Sequence, residues 1–319
     1  MSVVCTGSIA YDYILTFKGH FKDHILPDKT HILNLSFLVD DLRKRRGGVA
    51  GNYAYNLHLL GFPAAVLATA GGDAAEYRSW LESLGVDCSG LRLLDDEITA
   101  TGFTTTDLDD NQLTGYYGGA MRRAGMLGLD DAPANPEAVI IGPNDPAAMI
   151  RLAGEARDRG VPFVFDPAHQ LPHLSAEDLA ACSRGAWILI GNDYELEMIT
   201  QRTGRDVDGL LELSEMVVTT LGRQGSRIAS QQGVAEIPAA AARQEEDPTG
   251  AGDAYRSGLV AGLLRGLELA SAGRVASLAA TYAIEQVGTI EHRYSPEEFS
   301  ARYADAFGAA LPPAFWRVR

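Results

Sequence analysis

"AVIIGPNDPAAMIRLAGEARDRGVPFVFDPAHQ", residues 138–170, sets two short apolar runs on either side of one amphipathic stretch. The runs 138–142 (AVIIG) and 161–165 (VPFVF) read as strands buried on both faces, and 146–158 reads as the helix between them. Asp166-Pro167 stops the second strand. The same alternation continues outward. Val3–Thr6, Ala64–Thr69, 186–190 (AWILI) and 216–220 (MVVTT) read as strands, and 50–60, 74–84 and 193–201 as helices. Apolar strands separated by helices predict an α/β fold, a mostly parallel sheet covered by helices on both faces. Open sheets of this kind bind ligands at the carboxyl ends of their strands, which makes Ser8, Asn144, Asp166, Asn192 and Thr220 candidates.

A second set of segments has a different period. "THILNLSFLVD" (30–40) alternates Leu33, Leu35, Phe37 and Val39 against its neighbours, and 101–107 and 111–119 read as a hairpin turning at Asp109-Asp110. With 13–18 they predict a small antiparallel sheet assembled from about 13–46 and 98–119, placed as a lid beside the ligand edge. The C-terminal third reads as mostly helical.

Composition narrows the chemistry. The chain has 319 residues, 46% hydrophobic and 22% charged, with a formal net charge of -15. That excess of acid argues against nucleic acid or an anionic membrane as partner. No apolar run reaches membrane-spanning length, and the start lacks a basic secretory n-region. Cys5, Cys88 and Cys182 are odd in number and far apart, so the expectation is no disulfide framework and a cytoplasmic location. All four lysines (Lys18, Lys22, Lys29, Lys44) precede residue 45. No Gly-Lys-Ser/Thr exists, which excludes a Walker-type loop. Phosphate, if handled here, falls to backbone amides, arginines and a metal.

"EEDPTGAGDAYRSGLVAGLLRG" (245–266) supplies such amides. Gly250, Ala251 and Gly252 stand at the first turn of a predicted helix, where unpaired N–H groups and the helix dipole attract anions. Asp253 taken alone also reads as a helix-start carboxylate favoured by the same dipole. The compact Gly-Ala-Gly-Asp grouping before a helix of small residues favours a phosphoryl-transfer site.

Asp247–Asp253 (DPTGAGD) resembles the C-terminal signature of the ribokinase (PfkB-type) family of sugar and nucleoside kinases. "RRGGVAGN" resembles its N-terminal glycine pair and asparagine (Gly47, Gly48, Asn52), "GNDYE" its Asn-x-x-Glu (Asn192, Glu195), and "TTLGRQG" its nucleotide-binding turn (Thr220, Gly222, Gly225). These matches stand in the family's order along almost the whole chain. "TGSIAYD", "LSFLVDDL", "DPAHQL" and "YYGGAM" are most similar to the bacterial ribokinase-like adenosine kinases. The resemblance implies a Rossmann-like α/β domain with a β lid, and the reaction adenosine + ATP → AMP + ADP with Mg2+. It makes Asp253 the general base on the 5′-hydroxyl, with Gly250, Ala251 and Gly252 the anion hole.

The remaining roles follow from the same likeness. Asp12, Asn52 and the Gly48 backbone would hold the ribose hydroxyls, and Glu195 with Asn192 would orient magnesium-bound water. Asn192, Thr220, Gly222 and Gly225 would bind ATP. Ser8, Ser36, His169 and Gln170 complete the substrate set, His169 standing where the likeness implies glutamine. Phe103 and Tyr116, on the hairpin, offer stacking faces for a purine. Structural alternatives stay open: Asp12 as a turn residue, Asn52 as a helix cap, Asn192 with Glu195 as a capping box, Phe103 and Tyr116 as packing aromatics. Arg223 is either a phosphate clamp or an exposed turn residue, and the run Arg43–Arg46 reads as a solvated face.

Among rivals, a sugar kinase for ribose or fructose shares every element except the aromatic pair. A dinucleotide-binding dehydrogenase lacks its Gly-x-Gly-x-x-Gly after the first strand. A non-catalytic sensor on a kinase scaffold would have no need of Asp253 and its anion hole. An isolated lid with one unsupported apolar face also predicts a homodimer.

Overall fold

A computed structural model of the chain describes residues 2–25, 36–109 and 111–316. In chain order the first half contains β1 (Val3–Thr6), β2 (Ala10–Thr16), β3 (Asp41–Gly47), α1 (Val49–Leu59), β4 (Ala64–Gly71), α2 (Ala75–Ser83), β5 (Asp87–Leu94), β6 (Ala100–Thr106) and β7 (Gln112–Tyr117). Next come β8 (Ala138–Ile141), α3 (Pro146–Asp158), β9 (Phe163–Phe165), α4 (Ala176–Ser183), β10 (Ala186–Asn192), α5 (Asp193–Thr203), α6 (Val207–Leu211) and β11 (Ser214–Thr220). The chain then forms β12 (Ser226–Ser230), β13 (Gly233–Ile237), α7 (Ala251–Leu264), α8 (Leu269–Ile284) and α9 (Pro296–Phe307).

The large sheet runs β13-β12-β11-β10-β9-β8-β1-β4-β5. It is parallel from β5 to β11, and β12 and β13 close one edge as antiparallel strands. Alternate residues of its strands enter two separate cores. Cys5, Val66, Ile140, Ile188 and Val218 pack with Leu57 of α1, Leu259 of α7, Val275 of α8 and Phe299 of α9. Val4, Leu67, Val139, Leu189 and Val217 pack with Leu152 of α3, Leu179 of α4 and Ile199 of α5. Both faces are therefore buried, which is why the strands read as unbroken apolar runs. Sequence reading passed over β5, β12 and β13.

The small sheet runs β3-β2-β6-β7, with β2 and β6 parallel and the two outer pairs antiparallel. The hairpin expected at 101–119 is present as β6 and β7. Of the strand expected over 30–40, residues 36–39 carry none, and residues 30–35, with Leu33 and Leu35, lie outside the described residues. The strand starts only at Asp41 and contains the basic run that was read as a solvated face. Two of its four basic charges lie on aromatic rings, the Lys44 ammonium 3.5 Å from the Tyr11 ring centroid and the Arg46 guanidinium 5.0 Å from that of Trp80. That cover lets a basic run sit in a strand.

Candidate active site

The carboxyl ends of β1, β8, β9, β10 and β11 converge where α1 and α7 begin. Gly250 caps α7 in the left-handed region at φ 82°, a conformation cheap only for glycine. A Cβ there would also stand 2.9 Å from Thr289 Cβ. α7 lies close on α8 because Gly258 and Gly262 face Ala276 and Ala272 with no side chain between, so the small-residue helix is a packing device that seats the Gly250–Gly252 turn. One amide departs from expectation: Ala251 N–H donates to the Pro248 carbonyl at 3.3 Å.

Asp253, the third residue of α7, is half-buried at this turn. Asn52 Nδ2 donates to its Oδ2 at 2.7 Å, and the Thr289 hydroxyl donates to Asn52 Oδ1 at 2.8 Å. Asn52 sits inside α1 and is not its cap; the cap is Gly48, at φ 88°. Burial pushes the Asp253 carboxyl up to about 7, with the Arg256 charge and the Asn52 hydrogen bond opposing. A carboxylate titrating there is matched to taking a proton near neutrality.

Sequence reading missed what lies behind Asp253. Arg256, one helical turn on, forms a two-point ion pair with Asp166, Nε to Oδ2 at 2.5 Å and Nη2 to Oδ1 at 2.7 Å. The Tyr53 hydroxyl donates to Asp166 Oδ2 at 2.6 Å, and all three side chains are buried. The available signals were an arginine inside an otherwise small and apolar helix, and an aspartate ending a buried strand.

Asp12 lies inside β2, so it is not a turn residue. Its register partners are Arg45 on β3 and Gly102 on β6. A Cβ on Gly47 would collide with its Oδ2, and one on Gly102 would stand 2.7 Å from its Oδ1. Burial, then the Asp247 charge, raises its carboxyl above the usual range. Thr289 Oγ1 borders the same gap over Gly47, which puts Asp12 beside the Thr289–Asn52–Asp253 chain. Arg45 ties this strand to the loop after α8: its Nη1 donates to the Val287 carbonyl at 2.6 Å and pairs with Glu291 at 3.5 Å.

Tyr116 pairs with Gly102 and shares the face of Asp12. Its hydroxyl donates to Met121 Sδ at 3.8 Å, and its ring meets His169 edge-on at 6.4 Å. Ser8 accepts the Val49 N–H at 3.2 Å, fixing the start of α1. Burial holds the His169 imidazole below its ordinary value, so the ring is neutral at pH 7. Ala168 before it takes φ 38°, and Gln170 after it is buried. Phe103 does not join this group. It lies one residue along β6 from Gly102, on the opposite face, where its ring stacks on Tyr13 at 5.2 Å. The expectation that Phe103 and Tyr116 flank one base within the chain fails because adjacent strand residues point to opposite faces. Ser36 is exposed on the segment before β3.

A cleft of about 790 Å³ runs from Thr220, Gly222 and Gly225 past Asp247 to Ala251 and Gly252. Its other wall is Ala239–Ala242 with Ser277 and Thr281 of α8, small residues that leave room and that sequence reading did not single out. Asn192 and Glu195 form the capping box of α5, each backbone N–H donating to the other's side chain at 2.8 Å. Asn192 is the register partner of Thr220, one strand away from the cleft wall. Arg223 is 85% exposed and pairs with Glu245 at 2.5 Å.

A glycine-rich helix start with outward N–H groups, a half-buried carboxylate beside it and a nucleotide-sized cleft leading to both suit a phosphotransferase that uses a hydroxyl acceptor. Residues 1–295 match the pfkB family of carbohydrate kinases. The chain is 34% identical over 314 residues to a nucleoside kinase of Methanothermobacter thermautotrophicus, covering 97% of this chain and 98% of that one. The nucleoside kinase of Methanocaldococcus jannaschii is 30% identical over 288 residues, covering 90% and 91%. Among solved structures, the nucleoside kinase of Burkholderia thailandensis in complex with inosine is 36% identical, with a TM-score of 0.87 over 97% of this chain and 99% of that one. The chain belongs to the pfkB carbohydrate-kinase family. Within it, this is a phosphotransferase of the nucleoside-kinase type.

Proposed function

We propose that the chain transfers the γ-phosphoryl group of ATP to the 5′-hydroxyl of a purine nucleoside, with adenosine the preferred acceptor. The observation that carries this reading is the Asn52–Asp253 contact, made where the cleft ends and Asp12 of the small sheet approaches. ATP as donor is supported by the same Burkholderia enzyme in complex with ADP-inosine, 38% identical and with a TM-score of 0.85.

In the step itself, Asp253 takes the hydroxyl proton as the oxygen forms its bond to the γ-phosphorus. The β–γ bridging oxygen leaves with the bonding electrons as ADP, and Asp253 then loses its proton to solvent. The turn at Gly250–Gly252 faces the charge on the transferring group, positioning and electrostatics being most of what such a reaction needs. Asp12 accepts from the ribose diol, which separates a nucleoside from a deoxynucleoside. Tyr116 supplies one stacking face, and the neutral His169 ring and Gln170 supply polar contacts to the base edge.

Magnesium fits the residues present. The Glu195 carboxylate takes the Asn192 backbone N–H on one oxygen, leaving its other oxygen for a water on a hard cation. Bound there, the ion would neutralise polyphosphate charge. The small sheet, on this reading, is the lid.

Nucleoside-dependent ATP consumption tests the assignment, with adenosine, inosine, other nucleosides, ribose and fructose run in parallel. Adenosine is expected to give the highest kcat/KM. A sugar outperforming every nucleoside would overturn the nucleoside reading, and inosine outperforming adenosine would overturn the preference alone.

A further inference from the structure

A phosphoryl-transfer site needs positive charge, yet no lysine among the described residues lines this cleft, and Arg223 stands largely exposed on its wall with its charge answered by Glu245. The buried arginine at the site is Arg256. Its guanidinium has two usable edges. Nε and Nη2 are held by Asp166, which Tyr53 holds in turn. Nη1 lies on the other side, against Gly252: a Cβ on that residue would stand 2.5 Å from it. Glycine at 252 therefore does more than admit phosphate to the backbone. It lets a cation lie directly against the anion-accepting turn.

A buried arginine–carboxylate pair is a poor source of stability, because desolvating two charges offsets their attraction. The pair here is anchored at three points and set one turn behind the base, a placement that core packing does not require. We propose that Arg256, fixed by Asp166 and Tyr53, is a positioning residue for phosphoryl transfer: it supplies the standing positive charge behind the Gly250–Gly252 turn and favours the proton-accepting form of Asp253. This deepens the kinase reading and rests on it. The groups facing Asp253 are Arg256 on its own helix, Asn52 and Tyr53 from α1, Asp166 after β9, and Glu195 from α5 at longer range. Among them Arg256 is the one cation, so its removal leaves only carboxylates and neutral groups around the base.

Arg256→Gln, Arg256→Lys and the double variant Arg256→Gln/Asp166→Asn test this, each measured for nucleoside kcat and KM across pH 5.5–9 together with Tm. Arg256→Gln is expected to lower kcat about 100-fold, the scale of losing one preorganised charge-stabilising group, with nucleoside KM within a few-fold. The acidic limb of its kcat/KM profile should move to higher pH, because Asp253 without its cation holds a proton longer. Arg256→Lys should restore part of kcat and return the limb toward the parent. Should Arg256→Gln fail to fold because Asp166 is left buried and unpaired, the double variant decides: it should melt near the parent and still turn over poorly. A folded Gln or double variant with kcat within three-fold of the parent and an unmoved limb overturns the proposal and makes the pair structural. A parent chain that gives no nucleoside-dependent turnover would instead overturn the kinase reading.

Discussion

Asp253 and Asn52 meet across 201 positions of sequence, joined by one hydrogen bond at the proposed reacting centre. Asp253→Asn should lower kcat by about 10²–10⁴-fold while adenosine binding measured by calorimetry stays within a few-fold. Turnover close to the parent would remove Asp253 from the role of base. In the parent, kcat/KM should climb as pH rises through about 7, since burial keeps the carboxyl protonated below that value and only the ionised form accepts a proton. The base-stacking prediction now belongs to Tyr116. Tyr116→Ala should raise adenosine KM by roughly 5- to 150-fold, the range for losing one base–aromatic contact. Phe103→Ala should leave KM within about two-fold of the parent, because its ring lies on the other face of the sheet; a large KM change there and none at Tyr116 would reverse the assignment. The signature residues at 250–253 and 52 were legible because their spacing is local. Arg256 was not, because its meaning depends on an aspartate 90 positions away.

At the scale of elements, α7 against α8 sets the position of everything on α7. A Cβ on Gly258 would stand 2.7 Å from Ala276 Cα, backbone that cannot move without shifting α8. Gly258→Ala should therefore destabilise by about 1–3 kcal/mol, lowering Tm by several degrees. Gly154→Ala on α3 is the control. Its Cβ would meet only the Arg157 guanidinium at 3.7 Å, so replacing a helical glycine there should raise Tm slightly. Thermal melts of the two variants side by side settle the point, and equal shifts would show that the α7–α8 approach has slack. The buried strands and the helices between them were readable, since apolar runs report burial on two faces. β13 was not, as it is short and mostly exposed at the sheet edge. β3 lies within the small sheet expected from about 13–46, and Arg43 and Lys44 stay exposed as expected, but Lys44 and Arg46 also lie on aromatic faces that only tertiary structure supplies.

For the whole molecule, the face of the small sheet turned away from Asp12 is unusually apolar. Leu42, Phe103, Leu113 and Tyr117 share it, 59%, 49%, 47% and 42% exposed. A second copy of the chain covering this face is the occupant we favour, since two such sheets would bury each other's apolar side. Light scattering at micromolar protein should give near twice the 34.1 kDa chain mass, and Leu113→Asp should return it to one chain. A monomer at that concentration would refute the dimer.

The Arg45 tether carries a consequence for economy of ATP. β3 cannot swing about Gly47-Gly48 without drawing on Val287 and Glu291, and the same loop holds Thr289 against Asn52, which holds Asp253. On the proposed reading, closure over the acceptor and placement of the base share one linkage, which would favour the nucleoside hydroxyl over water as acceptor. Cutting the tether should make the enzyme leaky. Arg45→Ala is expected to raise ATP hydrolysis without nucleoside relative to phosphoryl transfer with it, and an unchanged ratio would show that the small sheet and the base move independently.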